Sequence, residues 1–285
     1  MRRMRRHLAV VCQTMLSTLA LAAGPVHAAP GVQPPAPSNA GAPQAGPAPP
    51  ALPPFEVDIR AFEEQDRHLG KSPRPRVVFI GSSSIRMWES LAADFPDHPV
   101  VNRGFGGSQI EDSVRYAERV LTPHKPPLVV MYAGSNDINA GKRPEAVAAD
   151  FKAFTARVWA FLPSTAISFI SIAPNPSRWT QVAQVREANR LIAATCATDR
   201  RLSFIDIFPL MLGADGRPRS ELFLQDGLHM NRQGYEIWIP IVRNRLDEVI
   251  PPHPRGGKQT PATPPRRGQS GERRSPATGA SAGAG

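Results

Sequence analysis

The chain has 285 residues, 41% of them hydrophobic, and a formal net charge of +10, enough for one sizeable domain. The charge sits at the ends: Arg2, Arg3, Arg5 and Arg6 open the chain, and Arg255, Lys258, Arg266, Arg267, Arg273 and Arg274 outnumber Glu272 after residue 250, which leaves the rest near neutral. A nucleic-acid-binding domain concentrates basic residues on a folded face, so the central segment is not expected to bind nucleic acid.

Residues 1–29 read as a secretory signal peptide: the four arginines, an apolar stretch from Leu8 to about Ala23, and a small-residue cleavage site at Val26-His27-Ala28. An uncleaved anchor is the alternative, but the stretch is short of the roughly 20 residues a span requires and ends in Gly24-Pro25. Export to the periplasm or beyond is the expectation, with no stable membrane insertion after signal removal. Residues 30–54 are almost wholly Pro, Ala, Gly, Ser and Gln, a spacer that cannot bury a core and is expected to be disordered. The basic tail 251–285 shares that bias and reads as a solvated, disordered appendage. Of the 32 prolines, 20 lie before residue 76 or after residue 250, which confines the folded unit to 55–250. Once the signal is removed Cys196 is the one cysteine left, so no intrachain disulfide can form, and its apolar neighbours make it a small buried residue.

An amphipathic stretch from Glu56 to Leu69 is expected on the outside of the fold. Five apolar runs follow: Val77–Ile80, Val100–Val101, Leu128–Ala133, Ile167–Ile172 and Leu202–Ile205. They are continuous rather than alternating, as parallel strands covered on both faces should be. Helical patterns at about 86–94, 108–121, 144–161, 180–199 and 232–248 alternate with them. That order predicts an α/β fold, a three-layer α/β/α sandwich around a five-stranded parallel sheet. Ligands bind such sheets beyond the carboxyl ends of the strands, and polar blocks fall there.

Gly81-Ser82-Ser83-Ser84 leaves the first strand. A glycine at the exit permits a sharp turn, so that a following hydroxyl projects from the sheet top; a serine-rich helix cap is the structural alternative. Ile85 stands where Gly-x-Ser-x-Gly needs glycine, which disfavours an α/β-hydrolase elbow. Gly104-Phe105-Gly106-Gly107-Ser108 follows the second strand. It fails as a dinucleotide fingerprint at Gln109, but can bring the N–H of Gly107 close to an oxyanion; a plain tight turn is equally open. Gly134-Ser135-Asn136-Asp137 ends the third strand. Asn136 suits an oxyanion donor, or bonds the loop backbone as Asx residues do, a role expected of Asp137. Asp226 and His229, three apart before the last helix, place a carboxylate and an imidazole on one side, so that one ring nitrogen is held and the other is a free base. No His/Cys/Asp/Glu cluster shows metal-ligand spacing.

Together these blocks resemble the SGNH, or GDSL-type, hydrolase family, and the subgroup similar to the platelet-activating-factor acetylhydrolase catalytic subunits. The resemblance spans about 75–250 and implies a flavodoxin-like fold and a serine esterase or acylhydrolase. It assigns Ser83 as nucleophile, Asp226 and His229 as the other triad members, and Ser83, Gly107 and Asn136 as the oxyanion hole, with no cofactor. Ser82 stands in place of the aspartate of Gly-Asp-Ser. That residue is outside the triad, so its replacement does not exclude activity, although the loop's hydrogen bonding must differ. The substrate is then a small-molecule, carbohydrate or lipid ester. Asn175, Arg178 and Trp179, after the fourth strand, are expected to line the site mouth, with Arg178 and Trp179 equally open to being surface residues at the start of a helix. The alternatives are a catalytically inactive SGNH-fold surface or carbohydrate-binding protein, and a phosphate- or nucleotide-binding flavodoxin-like domain, which Phe105-Gly106-Gly107-Ser108 alone would favour.

Overall fold

Runs of Val, Ile, Leu and Phe form five strands: β1 (Val77–Gly81), β2 (Val100–Gly104), β3 (Leu128–Tyr132), β4 (Ala166–Ile170) and β5 (Leu202–Ile205). All pair in parallel, in the order β2-β1-β3-β4-β5, the flavodoxin-like arrangement expected from sequence. The structure, a computed structural model, describes residues 52–70 and 76–252. The expected signal segment, most of the spacer and nearly all of the basic tail lie outside the described residues.

Successive strand residues face opposite sides of a sheet, and here each side closes its own core. Val78, Ile80, Val129, Met131, Ile167 and Phe169 pack under the helices α1 (Glu56–His68), α4 (Ile110–Leu121), α6 (Pro144–Phe161) and α7 (Val182–Cys196). Val77, Phe79, Leu128, Val130 and Ile170 pack with Trp88, Phe95 and the Trp238, Val242 and Leu246 face of α8 (Arg232–Val249). Each fully buried large apolar side chain contributes about 1.5–3 kcal/mol, so the neighbouring interior strands β1 and β3, buried along their whole length, anchor the sheet. Three further helices are one turn or little more: α2 (Ser83–Arg86), α3 (Leu91–Asp94) and α5 (Ser135–Asn139).

The helix expected over 86–94 is thus two separate turns, beginning earlier, at Ser83. The break lies at Trp88. Its indole is buried, stacks on Tyr235 at 4.9 Å between ring centroids and donates to Asp94 Oδ2 at 2.7 Å, where Ser90 Oγ also donates at 2.7 Å. Side-chain hydrogen bonds of this local kind offer the chain an alternative to a continuous helix.

Candidate active site

Gly81 lets β1 turn out of the sheet. Its φ is +140°, and a Cβ there would stand 1.9 Å from the carbonyl oxygen of Tyr132 on β3. The next N–H, of Ser82, donates to that same carbonyl at 3.0 Å, and the Ser82 carbonyl receives the N–H groups of Ile85 and Arg86. Ser82 therefore caps α2 with its main chain, and its side chain forms no capping bond. Ser84 is buried, its hydroxyl facing the Tyr132 phenol while Tyr235 Oη donates to its carbonyl at 2.9 Å. Ser83, first residue of α2, is the only one of the three serines that is not buried.

The Ser83 Oγ lies 2.9 Å from Nε2 of His229, and His229 Nδ1 lies 2.6 Å from Oδ2 of Asp226. The other carboxylate oxygen, Oδ1, receives the N–H groups of Leu228 and His229 at 2.9 and 3.0 Å. The bond from the His229 ring, followed by these backbone donors, holds the Asp226 carboxyl at about 2. An ionised carboxylate only accepts hydrogen bonds, so the imidazole proton belongs on Nδ1 and the Nε2 lone pair faces the serine hydroxyl. A turn, with the Leu224 N–H on the His229 carbonyl at 2.7 Å, holds the pair together.

The second and third blocks lock against the first and against each other. Phe105 N–H donates to the Gly81 carbonyl at 2.9 Å, and the Asn102 amide donates to the Ile85 carbonyl at 2.6 Å. Asn136 Nδ2 donates to the Ser108 carbonyl at 3.0 Å. Asp137 is fully buried and its Oδ1 accepts the N–H of Ile110, at the start of α4, at 3.1 Å; burial raises its pKa. Asp137 thus bonds the backbone of its own turn, as expected, and also that of Ile110 at the start of α4. Gly107 lies between these anchors with φ +83°, and nothing stands within 4 Å of where its Cβ would be. Among the described residues, the N–H groups of Ser83 and Gly107 have no acceptor within the protein.

The loop after β4 is a 3₁₀ turn over Pro176–Gln181. Asn175 is buried, its Oδ1 engaged by the Arg178 N–H at 2.9 Å and by Ser177 Oγ at 3.3 Å. Trp179 stands under the Arg217 guanidinium, 5.7 Å from ring centroid to carbon. Arg178 reaches across to α5, where its Nη1 donates to Ser135 Oγ at 2.8 Å and to Asn136 Oδ1 at 3.0 Å. Of the three residues expected at a site mouth, the structure brings Arg178 to Asn136 and turns the Asn175 carboxamide oxygen onto its own loop. Sequence reasoning missed Tyr235, 151 positions beyond Ser84, which backs α2 from within the core that also holds Ile85 and Trp88; no local pattern marks it.

A hydroxyl bonded to an imidazole, itself held by an ionised carboxylate and set near unpaired N–H donors, has the parts for acyl transfer. Among the described residues no group of three or more His, Cys, Asp or Glu is placed to hold a metal ion, and no helix is long and apolar enough to cross a membrane.

No curated protein matches the chain in sequence. Among solved structures, it resembles a protein of Streptococcus pneumonia assigned as a platelet activating factor (21% identity, TM-score 0.58, covering 67% of this chain and 93% of that one). It resembles a GDSL-like lipase of Bacteroides thetaiotaomicron (16%, 0.58, 67% and 98%) and a lipase/acylhydrolase of Enterococcus faecalis (17%, 0.54, 64% and 100%). At such identities the likeness is one of fold. Residues 80–237, more than half of the chain and reaching from β1 into α8, match the GDSL-like lipase/acylhydrolase family model, and the chain belongs to that family.

Proposed function

We propose that the protein is a serine ester hydrolase with Ser83, His229 and Asp226 as its triad and the Ser83 N–H, the Gly107 N–H and the Asn136 amide as its oxyanion hole. The observation that carries this reading is the continuous chain from Ser83 Oγ to His229 Nε2, 2.9 Å, and from His229 Nδ1 to Asp226 Oδ2, 2.6 Å. His229 takes the Ser83 proton as Oγ attacks the ester carbonyl, and Asp226 stabilises the imidazolium. The tetrahedral oxyanion meets the three donors. Collapse expels the alcohol, which takes its proton from Nε2, and water repeats the sequence on the acyl-enzyme. No metal or organic cofactor enters these steps.

Family membership supports a small-molecule ester as substrate, and the four motif blocks support placing the chain in the subgroup that resembles platelet-activating-factor acetylhydrolase catalytic subunits. Residues 55–250 are then the catalytic domain. Arg2 to Ala28, with its basic start and apolar run, supports export. The decisive experiment measures hydrolysis of aryl esters of graded acyl length by the purified protein. Turnover in the wild type that disappears in Ser83→Ala supports the reading, whereas equal rates in the two sink it. A 55–250 fragment that does not turn over these esters would refute the domain limits, and an exported protein whose N-terminus is still Met1 would refute signal cleavage.

A further inference from the structure

The Asn136 carboxamide has two nearly isosteric ends, and an oxyanion donor works only with its nitrogen end presented to the ligand. Rotation by 180° would present an acceptor oxygen instead. Two contacts decide which end is which. On one side stands the Ser108 carbonyl, which only accepts, at 3.0 Å; on the other stands Nη1 of Arg178, which only donates, also at 3.0 Å. The rotated amide would set oxygen against oxygen and N–H against N–H, losing both bonds. Among the described residues Nδ2 donates one bond, to Ser108, so its second N–H is left for a ligand.

We infer that Arg178 is a positioning residue for the proposed reaction, fixing and polarising the Asn136 amide so that its second N–H serves the oxyanion. This rests on the reading of Asn136 as an oxyanion donor. A guanidinium on the amide oxygen draws electron density from the nitrogen, which makes the remaining N–H a stronger donor; charge-assisted hydrogen bonds are the stronger class. The charge is not spent elsewhere. Among the described residues no carboxylate pairs with Arg178, and its side chain bonds only Ser135 and Asn136. The backbone of Arg178 is pinned by Asn175 Oδ1 at 2.9 Å, so the guanidinium is delivered from a braced turn.

The test is a double-mutant cycle on hydrolysis of p-nitrophenyl acetate by the full chain, with inactivation by a fluorophosphonate as a second readout. Arg178→Ala should lower kcat by about 10- to 100-fold, the scale of one lost charged hydrogen bond, with KM little changed. Arg178→Lys should recover part of the loss. In an Asn136→Ala background, itself slowed by about 10²–10³, Arg178→Ala should cost nothing more. Arg178→Gln, with circular dichroism on each variant, keeps the cycle readable if the alanine variant unfolds. A rise in KM at unchanged kcat, or losses that multiply between the two sites, overturns the inference while leaving the proposed activity in place. An Asn136→Ala enzyme of undiminished kcat overturns both the inference and the oxyanion assignment.

Discussion

The backbone N–H of Ser177 donates to the carbonyl of Gly227 at 3.0 Å. Gly227 sits between Asp226 and His229, and a Cβ on it would come within 3.2 Å of the Pro176 side chain, so the loop after β4 is seated directly on the acid–base turn. One residue further on, Arg178 holds Asn136. A single 3₁₀ turn therefore touches both halves of the proposed site, the Asp226–His229 turn and the Asn136 amide. Positional errors of about 1 Å remote from the chemistry can cost about a hundredfold in rate, and this turn is where such an error would reach both halves at once.

Asp226→Asn should leave the fold intact and lower kcat by about 10³–10⁴. The amide oxygen can still receive the Leu228 and His229 N–H groups that Oδ1 receives now. The NH₂ end then faces the ring and favours the tautomer with its proton on Nε2, which cannot accept from Ser83. Steady-state kinetics beside a thermal melt separate the two effects. A variant with wild-type kcat removes Asp226 from the mechanism.

Acid should lower activity while the Asp226 carboxylate is still ionised. Asp226 is lowered from 3.8 to about 2, so its contribution to stability is complete above about pH 4 and is lost only as pH falls through about 2. It is therefore ionised above about pH 4. A proton on Nε2 of His229 removes the base, and kcat/KM should fall toward a slope of about tenfold per pH unit on the acid side, with circular dichroism recorded beside the rates to separate loss of the base from loss of the fold. A flat profile from about pH 5 to 8 would point to another base or to a slow step outside the chemistry.

Gly81→Ala should damage both stability and rate. The added methyl meets the Tyr132 carbonyl at 1.9 Å, an overlap that flexible side chains cannot relieve because both partners are backbone. The clash should cost about 1–3 kcal/mol, and the φ of +140° adds strain of about the same order for a residue with a Cβ. The end of β1 must shift, and Ser83 shifts with it. Equal melting temperature and equal kcat in the variant would show that the strand exit tolerates a side chain.

The sheet is legible because buried parallel strands keep continuous apolar runs, and Val77–Ile80 and Leu128–Ala133 mark the interior strands β1 and β3 on that ground alone. The helix over 86–94 was misread because its break depends on the Trp88–Asp94 bond and on Tyr235, partners whose burial is decided by the tertiary fold. The residues of the four blocks stood out by composition, but their mutual supports did not. Asp137 reaches Ile110 across 27 positions and Arg178 reaches Asn136 across 42. Such spacings carry no periodicity and become contacts only when the strand order has placed the loops side by side. Asn136 shows the limit of choosing between a structural and a functional role, since one of its N–H groups supports Ser108 and the other is left for a ligand.

Ser83 should be the only one of the three serines to carry a fluorophosphonate label. Ser82 and Ser84 are 4% and 8% exposed, and neither hydroxyl approaches an imidazole: Ser82 is drawn back to β3 through its N–H on the Tyr132 carbonyl, and Ser84 faces the Tyr132 phenol. The Ser83 hydroxyl has the His229 Nε2 at 2.9 Å, and its own N–H, unpaired at the first position of α2, is available to the oxyanion its oxygen creates. Ser83→Ala should therefore abolish labelling and lower turnover by at least about 10³, what remains being binding and oxyanion stabilisation. Ser82→Ala and Ser84→Ala should both still be labelled. Peptide mass spectrometry of the inactivated protein decides the matter, and a phosphonyl group found on Ser82 or Ser84 would mean that the nucleophile sits one residue away from the hydroxyl that His229 holds.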